Sequence, residues 1–189
     1  MKFFKILVVV CIISAFLFFS FWISETYLLP TLLGNNTVST TPPSQNGNLL
    51  GQKAPFFNLP DISGNRVMLT NFLNTPLVIV FWSTWNAEAR DQMEILDTYL
   101  SQTETDKNLV SFLAIDSQED ASLVKSFMSR GGYSVPIALD VYGDTSQAYG
   151  IKNLPTFYFI DRDGIIREIY SGILSQKMIV DKSEQILKQ

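Results

Sequence analysis

The apolar residues of this chain are concentrated near its N-terminus, where residues 6–24 form a long run without a charged side chain. The run is close to the roughly 20 residues that an α-helix needs to cross the hydrocarbon core of a bilayer. Every backbone amide inside a bilayer must be hydrogen-bonded within the segment, so a helix is the expected structure. The pattern therefore predicts a transmembrane anchor within residues 1–30.

Two lysines, Lys2 and Lys5, precede the apolar run. By the positive-inside rule they keep the N-terminus in the cytoplasm and place the rest of the chain outside. A cleaved signal peptide is the alternative, but its apolar core is about 7–15 residues, which is shorter than this run, and no small-x-small cleavage site follows. We therefore expect a single-pass protein of the cell membrane whose anchor contains Cys11, the only cysteine.

A second compositional boundary lies near residue 50. Residues 31–50 carry no charge and are dominated by Ser, Thr, Asn, Pro and Gly, which is typical of a flexible tether. Residues 51–189 then alternate between apolar runs and amphipathic stretches. We expect these residues to form one folded domain outside the membrane.

The elements of this domain follow from hydrophobic periodicity. The continuous apolar run 77–83 predicts a central strand that is buried on both faces. Helical spacing of Ala89, Met93, Leu96 and Leu100 predicts a helix over 86–101. The other predicted elements are a hairpin of 56–59 with 66–69, strands at 110–115, 135–139, 156–160 and 165–170, a helix ending at Gly131-Gly132, and a helix over 175–187. This order predicts an α/β domain with a mixed central sheet and helices on both faces.

Charge and residue usage exclude several classes of function. The net charge is −4 and the domain has no basic run, so nucleic acid is excluded as a partner. The chain contains no histidine, which excludes histidine-based acid–base triads and removes the commonest ligand of zinc and copper. We therefore expect neither a metal nor a cofactor.

Two segments of the domain carry a motif. The first consists of Gly51, Ala54-Pro55, Phe57, Phe81-Trp82-Ser83-Thr84-Trp85 and Arg90, and the second of Tyr149-Gly150-Ile151, Leu154-Pro155-Thr156, Ile160-Asp161 and Gly164. In order, spacing and strand context they resemble the thioredoxin-like superfamily. The similarity is greatest to its membrane-anchored TlpA-like branch, which includes the reductases of bacterial cytochrome c maturation. The resemblance covers residues 51–189 and implies a thioredoxin-like fold with Pro155 at the position of the family's cis-proline.

The resemblance also implies a Cys-x-x-Cys motif directly after Trp85. In the family the first cysteine lies at a helix N-terminus, which lowers its pKa, and the second resolves the mixed disulfide. This chain has Asn86-Ala87-Glu88-Ala89 instead, so Asn86 and Ala89 occupy the two cysteine positions. Gln92 and Glu94 depart further, because the family usually has an acid and a proline there. We predict that the domain cannot catalyse dithiol–disulfide exchange.

The replacing residues are typical of a stable helix start. Asn86 is a preferred N-cap residue, Glu88 complements the dipole of the first turn, and Ala89 is a strong helix former. Trp82, on the core strand, is predicted to pack in the interior. Trp85, at the end of that strand, is equally compatible with packing and with a surface platform.

Two hypotheses of function follow. The leading one is a redox-inactive module that binds an extended protein segment or a redox partner protein. Its candidate binding residues are Trp85, Glu88, Leu154, Pro155 and Thr156. The alternative is an enzyme with non-thiol chemistry in the same cleft, with Glu88 as general acid or base.

Overall fold

The computed structural model describes residues 49–102 and 110–188. The predicted anchor and nearly all of the predicted tether lie outside these residues. Within the described residues, no helix is both long and apolar enough to cross a membrane.

Seven strands and four α-helices are found in the described part of the chain. In order they are β1 (Asn58–Pro60), β2 (Arg66–Met68), β3 (Leu77–Trp82), α1 (Ala87–Gln102), β4 (Ser111–Ser117), α2 (Ala121–Gly131), β5 (Ile137–Asp140), α3 (Asp144–Ala148), β6 (Thr156–Ile160), β7 (Ile166–Ser171) and α4 (Gln176–Leu187). A 3-10 helix, Leu69–Phe72, follows β2.

Five of the strands form one mixed sheet in the order β5-β4-β3-β6-β7. Strands β3, β4 and β5 are parallel to one another, whereas β6 is antiparallel to β3 and β7 is antiparallel to β6. The predicted hairpin is confirmed as the antiparallel pair β1–β2, although it forms a separate two-stranded sheet. The mixed central sheet predicted from the sequence is therefore confirmed.

The core lies on both faces of this sheet. All six residues of β3 are buried, and successive side chains point to opposite faces because the strand has a period of two. Val78, Val80 and Trp82 pack with residues of α1, α2 and α4. The other face packs Leu77, Ile79 and Phe81 with a smaller set that includes Phe57, Tyr149 and the end of α3. Helices cover both faces, as predicted, but the longer ones share one face.

Apart from the 3-10 helix and shifts of one or two residues at the ends of other elements, two elements differ from the sequence prediction. The helix α3 was not predicted, because five residues are too few to show a helical period. Strand β4 was predicted to end at Ile115, where its apolar run stops, but it continues through Asp116 and Ser117. The carboxyl group of Asp116 is consequently carried into the interior of the protein.

Candidate binding cleft

The C-terminal ends of the three parallel strands and the start of β6 meet at one edge of the sheet. A cleft of about 960 Å³ opens there, in the position where α/β sheets commonly bind ligands. Its lining comes from the segment after β3 with the first turn of α1, from the end of β4 and the residue after it, from the loop after β5 together with α3, from the loop that precedes β6, and from the end of β7. The lining residues are Trp85, Asn86, Glu88, Ser117, Gln118, Tyr142, Gly143, Ser146, Gln147, Ile151, Lys152, Asn153, Leu154, Ser171 and Gly172.

The first feature of the cleft is the start of α1. The backbone N–H of Ala89 donates a 2.8 Å hydrogen bond to Oδ1 of Asn86. The N–H of Arg90 donates to the carbonyl of Asn86, which begins the helical hydrogen-bond ladder. Asn86 is therefore the N-cap, and the prediction of its capping role is confirmed.

The same Asn86 side chain also reaches the loop before β6. Its Nδ2 donates a 3.3 Å hydrogen bond to the carbonyl oxygen of Leu154. The Leu154–Pro155 peptide bond is cis, as the family resemblance implies. One amide side chain thus joins the helix start to the proline loop, at the position where the family has a reactive cysteine.

The two tryptophans around this helix start differ sharply in environment. Trp82 is fully buried, and its ring lies 5.4 Å from that of Phe127, so its predicted packing role is confirmed. Trp85 is 68% exposed and lines the cleft. The sequence was equally compatible with Trp85 packing in the interior and with Trp85 forming a surface platform, and the structure places its ring at the surface.

The remaining predicted site residues divide into two groups. Glu88 is exposed and Leu154 is half-buried, and both line the cleft. Ala89, Pro155 and Thr156 are buried and do not line it. The hydroxyl of Thr156 is already bonded to the carbonyl of Asn153 and to the hydroxyl of Ser171, so its side chain supports the proline loop from beneath.

Gln92, where the family usually has an acid, supports another wall of the cleft. Its buried amide accepts a 2.6 Å hydrogen bond from the N–H of Leu174 and donates a 3.2 Å bond to the carbonyl of the same residue. An amide donates and accepts at the same time, whereas an ionised carboxylate has no proton to donate. Gln92 therefore fixes the loop after β7, whose Gly172 lines the cleft.

Glu119 supports the loop that carries Trp85. Its carboxylate accepts two hydrogen bonds from Thr84, one of 2.5 Å from the backbone N–H and one of 2.7 Å from the hydroxyl. Thr84 directly precedes Trp85. Glu119 is itself buried, so both of its oxygens are committed to this contact within the protein.

The half of the cleft beyond Asn86 was missed by sequence reasoning. It is built by Gln118, Tyr142, Ser146, Gln147 and Lys152, and Tyr142 is 86% exposed. One sequence signal was available, since Tyr142-Gly143 follows a predicted strand and turn residues after parallel strands commonly line ligand sites. A second signal is visible only in the structure: Gln118 has a positive φ of 64°, an unusual conformation that is enriched at functional sites.

The cleft is lined mainly by polar side chains. Its lining offers amide and hydroxyl side chains, one exposed carboxylate and one lysine, with no sulfur nucleophile. Across residues 49–102 and 110–188, no cluster of metal-ligating side chains occurs. The acidic and basic side chains that line the cleft are Glu88 and Lys152, whereas Arg90 lies outside the lining.

The mixed five-stranded sheet, the helix that begins just after Trp85 and the cis-proline beside its N-terminus define a protein of the thioredoxin-like class. The chain belongs to the AhpC/TSA family, whose family model matches residues 50–169, and within it to the thioredoxin-like redoxins of the TlpA/ResA type. This result confirms the resemblance that the two motifs indicate.

Relatives of known name are similar over most of the domain. The thiol-disulfide oxidoreductase ResA of Bacillus cereus is 30% identical over 121 residues, which cover 64% of this chain and 69% of ResA. The thioredoxin-like protein YneN of Bacillus subtilis is 25% identical over 149 residues, which cover 79% of this chain and 87% of YneN.

Solved structures show the same fold. A putative thiol:disulfide interchange protein DsbE from Chlorobium tepidum superimposes with a TM-score of 0.66 at 22% identity, over 73% of this chain and 97% of that one. StoA from Bacillus subtilis superimposes with a TM-score of 0.61 at 16% identity, over 69% and 97%.

Proposed function

We propose that this chain is a redox-inactive thioredoxin-like module, anchored in the cell membrane with residues 51–189 outside the cytoplasm, that binds an extended protein segment in the cleft. The observation that carries the proposal is the exposed ring of Trp85 at the rim of the cleft, beside a helix start that lacks both cysteines. Membrane attachment rests on the uncharged run of residues 6–24 and the lysines that precede it.

Redox inactivity follows from the chemistry of exchange. A thiolate must attack a disulfide, and a second thiol must resolve the mixed disulfide that forms. The only cysteine of the chain is Cys11, within the predicted anchor, while Asn86 and Ala89 occupy the two family positions. The oxidoreductase activity in the name of ResA therefore describes the ancestry of this fold and not the chemistry of this cleft.

The binding role is supported by the kind of groups that the cleft presents. Exposed tryptophans dominate many protein interfaces, because a rigid ring buries a large area at low entropic cost. The side chains of Gln118, Gln147 and Asn153 also line the cleft, and each carries a donor and an acceptor. An extended chain is recognised chiefly through main-chain hydrogen bonds, which such groups and the Leu154 carbonyl can make.

The charged side chains of the cleft indicate what net charge a partner segment should have. Glu88 and Lys152 are the charged groups in the lining, and they carry opposite signs. A segment without strong charge therefore fits better than an acidic or a basic one, since neither sign is favoured. The partner is accordingly an extended, largely neutral stretch of a protein outside the membrane, and a redox partner protein that exposes such a stretch fits the same description.

The proposal is tested with an unfolded polypeptide that contains no thiol or disulfide, such as reduced and carboxamidomethylated ribonuclease A, whose blocked cysteines carry no charge. Its binding to the full-length chain in detergent is measured by fluorescence anisotropy. We expect Trp85→Ala to weaken binding about tenfold or more, the usual effect of truncating an aromatic hot spot. Phe56→Ala is the matched control, because Phe56 is 62% exposed but lies outside the cleft.

Two results contradict the proposal. One is the absence of binding by the wild-type chain, and the other is equal affinity of the wild type and Trp85→Ala. An equal loss in Phe56→Ala points instead to non-specific hydrophobic association.

A further inference from the structure

Two buried acids, Glu119 and Asp116, lie near the loop that carries Trp85, and Glu119 is bonded to that loop. Both oxygens of Glu119 accept hydrogen bonds from Thr84, at 2.5 Å from its N–H and 2.7 Å from its hydroxyl. These two bonds connect the loop after β3 with the loop after β4 across 35 residues of sequence. The position of Trp85 therefore depends on a carboxylate that the cleft itself does not expose.

Asp116, at the end of β4, is the second acid of the pair. It is fully buried, and neither of its oxygens has a hydrogen-bond partner that meets ordinary distance and angle criteria within the described residues. Its strand neighbour is Trp82, whose indole Nε1 is also buried without a partner. A buried ionised carboxylate without a partner is very costly, so the neutral form is strongly favoured here.

The charged groups that act on Asp116 are both acidic. Glu119, in the following loop, is the nearer influence, and Asp140, on the adjacent strand β5 one position beyond the strand partner Leu139, adds a weaker repulsion. Among the described residues, no lysine or arginine forms an ion pair with any of these three acids. Ionisation of Asp116 would thus add a second negative charge next to Glu119 with no cation to offset it.

We propose that Glu119 is the positioning residue for Trp85, and that it holds the Trp85 loop only while Asp116 carries a proton. This inference rests on the proposed binding role of Trp85. A neutral Asp116 leaves Glu119 as the one charge of the pair and can donate to it. An ionised Asp116 repels Glu119, which shifts the Glu119 carboxylate away from Thr84 and releases the loop.

The proton affinity of Asp116 supports this arrangement. Burial and the neighbouring Glu119 raise the pKa of Asp116 to about 9. The support is therefore present at neutral pH and is lost as the pH rises through the range around that value. A merely structural contact between Glu119 and Thr84 has no reason to follow the titration of Asp116.

The test reads the Thr84 amide directly. Its proton resonance is followed by nuclear magnetic resonance between pH 6 and pH 10.5 in the full-length chain in detergent. A short bond to a carboxylate moves this resonance downfield, so we expect a downfield position at pH 7 that shifts upfield with a midpoint near pH 9. The indole resonance of Trp85 is expected to move with the same midpoint.

Three variants separate the proposal from alternatives. Asp116→Asn keeps a neutral donor of the same shape and is expected to abolish the transition, with Thr84 downfield throughout. Glu119→Gln is expected to shift Thr84 upfield already at pH 7. Asp120→Asn removes an exposed carboxylate next to Glu119 and should titrate as the wild type does.

Persistence of the wild-type transition in Asp116→Asn overturns the proposal, as does an unchanged Thr84 resonance in Glu119→Gln. If Asp116→Asn does not fold, Thr84→Val gives the second test. It removes the hydroxyl bond and keeps the N–H, so its transition should begin at lower pH. An unchanged midpoint in Thr84→Val counts against the proposal.

Affinity for carboxamidomethylated ribonuclease A, measured at pH 7 and pH 10, links the loop to binding. We expect a loss of affinity at pH 10 in the wild type that Asp116→Asn largely removes. A Thr84 transition without binding at either pH contradicts the proposed function and leaves the positioning role intact. A Thr84 transition with the same affinity at both pH values contradicts the claim that Glu119 controls the binding platform.

Discussion

At the scale of single residues, Asn86 shows what a local pattern can and cannot predict. Its capping role follows from a preference that acts over three residues, and the Oδ1 bond to Ala89 confirms it. Its bond to Leu154 spans 68 residues and has no local signature. The sequence therefore predicted the helix start correctly and missed the cross-link to the proline loop.

We expect Asn86→Ala to lower the free energy of unfolding by about 1–2 kcal/mol, because it removes the N-cap bond and the bond to Leu154 together. Asn86→Asp is the matched control: it keeps an acceptor for the N–H of Ala89 but cannot donate to Leu154. Asn86→Asp should therefore lower the free energy of unfolding less than Asn86→Ala does. Urea unfolding followed by circular dichroism measures both, and an Asn86→Ala variant as stable as wild type would show that neither bond matters.

The buried Asp116 makes a second prediction at this scale. Because its pKa is raised to about 9 from an ordinary value of 3.8, the folded state binds a proton that the unfolded state has released between these values. Stability should therefore fall as pH rises from about 4 to 9, by at most about 1.4 kcal/mol per pH unit.

Asp116→Asn should flatten this slope and stabilise the protein more at pH 9 than at pH 5. Urea melts across this range measure it, with Asp120→Asn as the control for an exposed carboxylate. Parallel curves for Asp116→Asn and the wild type would contradict the assignment.

At the scale of elements, prediction succeeded where residues mark the boundaries. The C-cap Gly132 has a left-handed φ of 68°, the conformation that ends a helix, and α2 ends at Gly131 as predicted. Strand β6 spans Thr156–Ile160, as its apolar run predicts. Prediction failed for α3, which is too short to show a helical period. It also failed for the end of β4, because a charged residue such as Asp116 is normally expected at the surface and here is buried.

The helix start of α1 also predicts what restoring the family motif would do. In a Cys11→Ser background, Asn86→Cys with Ala89→Cys places one thiol at the N-cap and one in the first turn, close enough for a disulfide. The helix N-terminus should lower the pKa of the first thiol. We expect the variant to cycle between dithiol and disulfide and to reduce insulin, whereas the wild type should not.

The single variant Asn86→Cys in the same background is the control, because it cannot form an intramolecular disulfide. Thiol titration reports disulfide formation, and insulin turbidity reports activity. A disulfide without activity would indicate that the proline edge no longer accepts a substrate. Failure to form any disulfide would contradict the helix geometry described above.

At the scale of the whole molecule, the overall class was predictable because motif, spacing and strand order agree over the domain. The mixed sheet follows from alternating elements that end in a hairpin. The full extent of the cleft was not predictable, because it is assembled from separate segments of the chain that only the fold brings together.

The proposed topology makes a prediction at the same scale. Protease added to intact cells should cut within residues 31–50 and release the domain, since an uncharged segment rich in Ser, Thr and Pro is readily cleaved. Immunoblotting of cells and supernatant measures release, with a cytoplasmic protein as the control for lysis. Protection of the domain in intact cells, with cleavage only after lysis, would contradict the orientation.

The Asn86–Leu154 hydrogen bond has a consequence for how any partner enters. A main-chain N–H that pairs with the Leu154 carbonyl competes with the Nδ2 of Asn86, so one hydrogen bond is exchanged for another. Such an exchange contributes little net free energy. The carbonyl of Leu154 would then orient an incoming chain but add little to its affinity. The specificity for one chain over another would come from the side chain that contacts Trp85.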